Sequence, residues 1–216
     1  AENLREHEKI KGDDLLEEHV NTIEDNGYRL LRLINDILDL VKLDSEESPL
    51  RPEVVNVAEF IKGLAVNLKP VAEMKGITIS SHCDVLDRSD VWVDRDRLEK
   101  IVLNLAVNAL KFTDSGGSVV LSASMAAGGD LELEVTDTGQ GMNEEDVANV
   151  FVRFWQADMS ARRKHRGAGI GLSLVKSLAE SMGGDVQVQS KLGEGTTFRV
   201  TVQAPAPAAG KIGQQN

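Results

Sequence analysis

The stretch Leu98–Thr113, LEKIVLNLAVNALKFT, decides the fold. Leu98, Ile101, Val102, Leu105, Ala109 and Leu110 recur at helical spacing, which predicts an amphipathic helix with one apolar stripe turned to a core. Asn104, Asn108 and Lys111 form a second stripe. Steps of four and three residues bring two carboxamides and one ammonium to the same face, a set suited to a metal ion and phosphate oxygens. A polar stripe alone is more often plain solvated surface, so the flanking sequence has to separate the two readings.

Upstream, Asp94 stands where an N-cap belongs, directly after the short strand Val91–Val93. Before it, Leu50–Val57 reads as a strand with Pro52 near an edge position, Val57–Lys75 as a helix, and Gly76–Ser81 as an alternating strand. Downstream, Ser118–Ser124 and Leu131–Thr136 alternate like strands around a turn at 126–130 containing Gly128 and Gly129. Glu144–Val150 is a short helix and Gly171–Met182 an amphipathic one stopped by Gly183 and Gly184. Asp185–Ser190 and Thr196–Val202 make a last strand pair. Interleaved helices with late hairpins predict an α+β fold: a two-layer α/β sandwich whose mixed, mostly antiparallel sheet carries helices on one face. Ala204–Asn216, rich in Ala, Pro, Gly and Gln, is expected to be a disordered tail.

A different pattern precedes this unit. Leu16, Val20, Ile23, Gly27, Leu30, Ile34, Ile37 and Val41 alternate steps of four and three, a heptad seam that wants a partner helix and is expected to stand outside the sandwich. Asp44 ends the seam and Ser45–Pro49 read as linker. The expected organisation is therefore a helical region over 1–45, a linker over 46–52, the sandwich over 53–203 and the tail over 204–216.

Bulk properties narrow the function. The formal charge of −11 argues against a general nucleic-acid or anionic-membrane surface. The basic run Arg162, Arg163, Lys164, His165, Arg166 reads as an exposed loop. No segment approaches the roughly 20 apolar residues that span a bilayer and no signal peptide opens the chain, so a soluble, cytoplasmic chain is expected, or the cytoplasmic portion of an anchored protein. The single Cys83 excludes an internal disulfide.

The glycines cluster after the organising helix. Asp137–Met142, DTGQGM, follows a strand, so Asp137 sits at a strand end where its carboxylate can accept from an exocyclic amine, although an Asp capping its own turn is common. Gly167–Leu172, GAGIGL, opens a helix, and free N–H groups at such an end suit a phosphate. Its spacing matches neither the Rossmann nor the Walker motif. Gly193–Thr197, GEGTT, reads equally well as a simple hairpin.

In this order, NLAVNALKF, DTGQGM, FVRFWQ, GAGIGL and GEGTTF resemble the catalytic, ATP-binding domain of sensor histidine kinases, in the superfamily of DNA gyrase B, the ATP-dependent heat-shock chaperones and MutL. RLLRLINDILDLVKLDSEES resembles the second helix of their dimerisation and phosphotransfer hairpin. The resemblance implies the Bergerat-type ATP-binding fold, ATP and Mg²⁺ as cofactors, a response-regulator receiver domain as partner, and a homodimer in the full-length protein. By residue, it implies Asn108 as the Mg²⁺ ligand and Asn104 beside it, Lys111 on phosphate, Phe112 over adenine, and Asp137 on the adenine amine with Gly139, Gly141 and Met142 shaping the pocket. It further implies Phe151 and Phe154 as anchors of a lid with its tip at 159–166, Gly167, Gly169, Ile170, Gly171 and Leu172 closing on phosphate, and Thr196 and Thr197 lining the adenine side.

One departure concerns the acceptor. The family places its phosphorylated histidine in an HE[LF][RK]TPL string on the first hairpin helix. Here His7 is followed by Glu8 but then by Lys9, Ile10 and Lys11, and His19 falls within the seam helix, which implies that the acceptor helix is missing from this chain. Three readings follow: a protein-histidine kinase core acting on a histidine supplied elsewhere, a nucleotide-binding signalling scaffold without transfer, and an ATPase of the gyrase or chaperone kind. The seam helix ahead of the ATP domain disfavours the third.

Overall fold

The computed structural model describes residues 14–44, 49–84, 90–126, 128–156 and 169–206. The chain opens with a 31-residue helix, α1 (Asp14–Asp44). It continues through β1 (Glu53–Asn56), α2 (Val57–Met74), β2 (Thr78–Asp84) and β3 (Asp90–Val93) to the organising helix α3 (Arg95–Phe112). Then come β4 (Ser118–Met125), β5 (Leu131–Asp137), α4 (Glu144–Asn149), α5 (Gly171–Ser181), β6 (Asp185–Lys191) and β7 (Gly195–Val202).

Local chemistry sets these bounds. The Asp94 side chain accepts from Arg97 N–H at 3.1 Å and starts α3, as Asn56 starts α2 by accepting from Glu59 N–H. Helix α2 ends in a turn at Gly76, whose φ of +69° suits glycine, and this delays β2 to Thr78. The sheet runs in the order β2-β4-β5-β7-β6, with β2 parallel to β4 and the other neighbours antiparallel. A separate two-stranded ribbon pairs β1 with β3. Alternation on β5 turns Leu131, Leu133, Val135 and Asp137 inward and leaves Glu132, Glu134 and Thr136 on the open face. Helices α2, α3 and α5 cover the inner face, with Leu98, Ile101, Leu105, Leu121, Leu133 and Leu174 fully buried between the layers. This is the expected two-layer α+β sandwich.

Two expectations need correction. The seam helix does not stand wholly outside: α1 contacts α5, Leu40 belongs to the core, and Leu33 and Leu43 pack against it. These residues lie off the heptad seam, so a pattern tracing one stripe passes over them. Most of the seam itself (Ile23, Leu30, Ile34, Ile37, Val41) is exposed, as a face awaiting another helix would be. The tail also begins later than composition suggests. Ala204 is buried and the Pro205 carbonyl accepts from Trp92 N–H at 3.0 Å, because the outer edge of β3 turns a backbone donor to a side that a small-residue segment can approach.

Candidate functional site

Asp137 closes β5 with its side chain turned into the sandwich and 7% exposed. Its Oδ1 accepts from Gly139 N–H at 2.8 Å. Burial raises its pKa above the 3.8 of an ordinary aspartate, while hydrogen bonds from the backbone N–H groups of Gly139 and Thr196 pull the other way. The outcome is a buried carboxyl whose backbone donors are fixed. An open cleft of about 310 Å³ lies at this end of the sheet, and Thr136, Gln189 and Thr197 line it from the open face, opposite the side to which the Asp137 carboxyl turns. Of the two threonines expected on the adenine side, Thr196 is beside Asp137 on the inner face, whereas Thr197, one residue on in the alternating strand, turns to the open face and its hydroxyl bonds to that of Thr136 at 3.0 Å. Asn104, Asn108, Lys111 and Phe112 do not line that cleft.

The helix and the aspartate are joined by backbone instead. The Phe112 carbonyl, at the end of α3, accepts from Gln140 N–H at 3.2 Å. A Cβ placed on Gly139 would lie 2.4 Å from the same oxygen, so this crossing requires glycine. The far side of the DTGQG turn is fixed to the β6–β7 hairpin by Gly193 N–H donating to the Gln140 carbonyl and Met142 N–H donating to Ser190 Oγ. Gly195, at φ +112°, passes so close that an added Cβ would meet the Asp137 carbonyl at 2.0 Å.

On α3, Asn104 is buried and its Nδ2 donates to the Lys100 carbonyl. Asn108 and Lys111 are half-buried one and two turns further on, and Lys111 Nζ lies 4.6 Å from the Phe112 ring centre. Gly171 starts α5 against this helix, where an added Cβ would stand 3.0 Å from Asn104 Oδ1. Gly169, at φ +70°, lies against the backbone of Phe154 and Trp155, and its carbonyl accepts from Phe154 N–H at 2.8 Å.

The two phenylalanines expected to anchor one end of a lid sit differently. Phe151 packs edge-on against Phe198 with ring centres 6.2 Å apart. Phe154 anchors through its backbone, at φ +65°, while its ring is 66% exposed. Ile170 and Leu172 serve the core: Ile170 is buried and Leu172 packs against the buried cluster. Gly167, the lid tip at 159–166 with His165, and His7 lie outside the described residues. Sequence reasoning missed Ser190, whose hydroxyl joins Met142 N–H, the Gly195 carbonyl and Thr196 Oγ1. A serine within an alternating strand gives no sign of such a role.

Comparison with known proteins agrees with this geometry. Residues 93–206 match the family described as histidine kinase-, DNA gyrase B- and HSP90-like ATPase. The chain belongs to this family. Residues 1–46 match the His Kinase A (phospho-acceptor) domain. Among relatives of the histidine-kinase ATPase, the histidine protein kinase DivJ of Caulobacter vibrioides is 38% identical over 201 residues, 91% of this chain and 33% of DivJ. The circadian input-output histidine kinase CikA of Synechococcus elongatus is 36% identical over 86% of this chain and 24% of CikA. The chain thus spans about a quarter to a third of the length of these relatives. Full-length ShkA, solved in complex with AMPPNP, superposes with a TM-score of 0.78 at 34% identity, covering 90% of this chain and 40% of ShkA. ThkA in complex with the response regulator protein TrrA shares the fold at 18% identity, with a TM-score of 0.67 over 92% of this chain and 54% of ThkA.

Proposed function

We propose that the chain binds Mg-ATP and forms the catalytic core of a two-component sensor histidine kinase, passing the γ-phosphoryl to a histidine and onward to an aspartate of a response-regulator receiver domain. The observation that carries this reading is the joining of two chemistries at one edge: Phe112, ending the Asn104–Asn108–Lys111 helix, is hydrogen-bonded to the turn that follows buried Asp137. Asp137 accepts from the adenine amine. Gly139, Gly141, Met142 and Thr196 shape that end, while Phe112 covers the base. Lys111 and the Gly167–Leu172 segment, with the Phe154 backbone pinned to Gly169, hold phosphate. A carboxamide at Asn108 offers one oxygen, which suits Mg²⁺ because that ion is held largely by phosphate oxygens and waters. Among the described residues no group of three His, Cys, Asp or Glu offers a protein-only cage. The bound ion would neutralise phosphate charge, and the chain's residues position the γ-phosphoryl in line with its acceptor.

The organisation proposed with this function is a helical region over 1–45, a linker over 46–52 and an ATP-binding unit from 53, with pairing of α1 seams making a homodimer in the full-length protein. The match of 1–46 to a phospho-acceptor domain supports transfer over a scaffold that only binds nucleotide. ShkA with a nucleotide analogue and ThkA with a response regulator support the two ligands proposed.

Calorimetric titration with Mg-ATP tests the pocket. Asn108→Ala and Asp137→Asn are each expected to weaken binding at least about tenfold, the range for losing a contact to a charged group; unchanged affinity in both overturns the assignment. Affinity should also fall as pH is lowered through the raised Asp137 pKa, starting above the range of an exposed aspartate, because the protonated carboxyl loses acceptor capacity. The stability sign is opposite: the folded chain holds this proton more tightly than the unfolded one, so this contribution to folding is present at low pH and lost as pH rises through the raised pKa. With γ-labelled ATP the chain alone should label little, and adding an acceptor helical hairpin should give acid-labile label on that hairpin.

A further inference from the structure

Apart from Asp137, the most buried charged side chains among the described residues are Asp94 and Arg97, 6% and 7% exposed, at the end of α3 away from Asn108. Their geometry joins three elements. Asp94 Oδ1 accepts from Arg97 N–H at 3.1 Å, which caps α3. Asp94 Oδ2 accepts from Arg51 N–H at 2.9 Å, which fixes the chain two residues ahead of β1. Arg97 Nε pairs with the same Asp94 oxygen at 3.4 Å, and Arg97 Nη1 donates to Ser181 Oγ at 2.7 Å. Ser181 ends α5, and its hydroxyl in turn donates to the Leu178 carbonyl at 2.6 Å.

A buried ion pair is a poor device for stability, because apolar side chains of similar volume often serve as well; its best-attested use is to fix register. Helices α3 and α5 run antiparallel, with Arg97 meeting Ser181 at one end and Asn104 meeting Gly171 at the other. From Arg97 to Asn104 is about 10 Å along α3, and from Ser181 to Gly171 about 15 Å along α5. Each helix transmits displacement as a rod over such lengths, so a slip at Ser181 becomes a slip of Gly171 against Asn104.

We propose that Arg97 is a positioning residue for the nucleotide site. It holds the helix bearing Asn104, Asn108 and Lys111 in fixed register with the helix opened by Gly169–Gly171, and through Asp94 it ties this pair to the chain arriving from α1. The inference rests on the Mg-ATP reading, and its test separates the two.

Ser181→Ala removes one hydroxyl and leaves the Asp94 cap and the Arg51 bond in place. Ser181→Thr retains the hydroxyl. In the full 216-residue chain, Ser181→Ala is expected to lower Mg-ATP affinity about fivefold, the scale of one ordinary hydrogen bond, and Ser181→Thr to keep it within about twofold. Adenosine, measured by competition, should bind both variants as it binds the unaltered chain, because it lacks the phosphates that the two helices hold. Arg97→Lys, which keeps a cation beside Asp94 but does not reach Ser181, should repeat the loss seen in Ser181→Ala. Unchanged Mg-ATP affinity in Ser181→Ala and Arg97→Lys, or an equal loss for adenosine and Mg-ATP, overturns the assignment to Arg97. An unaltered chain that fails to bind Mg-ATP overturns the nucleotide reading itself, and this inference with it.

Discussion

Helices α1 and α3 meet the same physical problem with opposite outcomes. Helix α3 buries its apolar face within the fold: Leu98, Ile101, Val102 and Leu105 are buried, Asp94 and Arg97 fix its start, and Asn104 is buried against Gly171. Helix α1 is longer, and it reaches the core through Leu33, Leu40 and Leu43, with Asp39 paired to Lys100 of α3 at 2.6 Å. Its seam is left open. An apolar stripe satisfied within its own domain serves folding, whereas a stripe left exposed on a heptad repeat is reserved for a second helix.

The comparison can be broken at either helix. Leu105→Ala, which opens a cavity where nothing is exposed, should destabilise the sandwich by about 2–5 kcal/mol in urea unfolding; a cost below about 1 kcal/mol would mean that α3 is not the centre of this core. Ile34→Lys with Ile37→Lys places charges on the open seam. Sedimentation should then show loss of self-association, with the unfolding midpoint of the sandwich unchanged; a chain that is monomeric without the substitutions at high concentration would overturn the pairing proposed for α1. The smallest effect is expected at the junction of the two helices. Lys100→Ala removes a half-exposed ion pair worth about 0–1 kcal/mol, a shift that added salt should shrink further.

Legibility followed range. The core stripe of α3, the Asp94 cap, the hairpin strands and the partner-seeking seam were all readable, because each depends on spacing within a few residues. The motif order also pointed to the family to which the chain belongs. The docking of Leu33, Leu40 and Leu43 was not readable, since their usefulness depends on where α5 lies. Ser190 and Ser181 were equally silent: one hydroxyl gathers Met142, Gly195 and Thr196, the other receives Arg97. The exposed ring of Phe154 and its backbone bond to Gly169 follow from a positive φ that no side-chain pattern announces.

The sequence by itself determined which segments are helices and strands, which face of each is apolar, and which residue types could hold a nucleotide, because periodicity and glycine placement act over one or two turns of chain. Only the tertiary structure decided that Asp137 would be buried and its pKa raised, that Phe112 and Gly139 would meet, and that Arg97 would reach Ser181 across 84 positions. Desolvation and hydrogen-bond geometry depend on neighbours distant in the chain, which packing alone brings together.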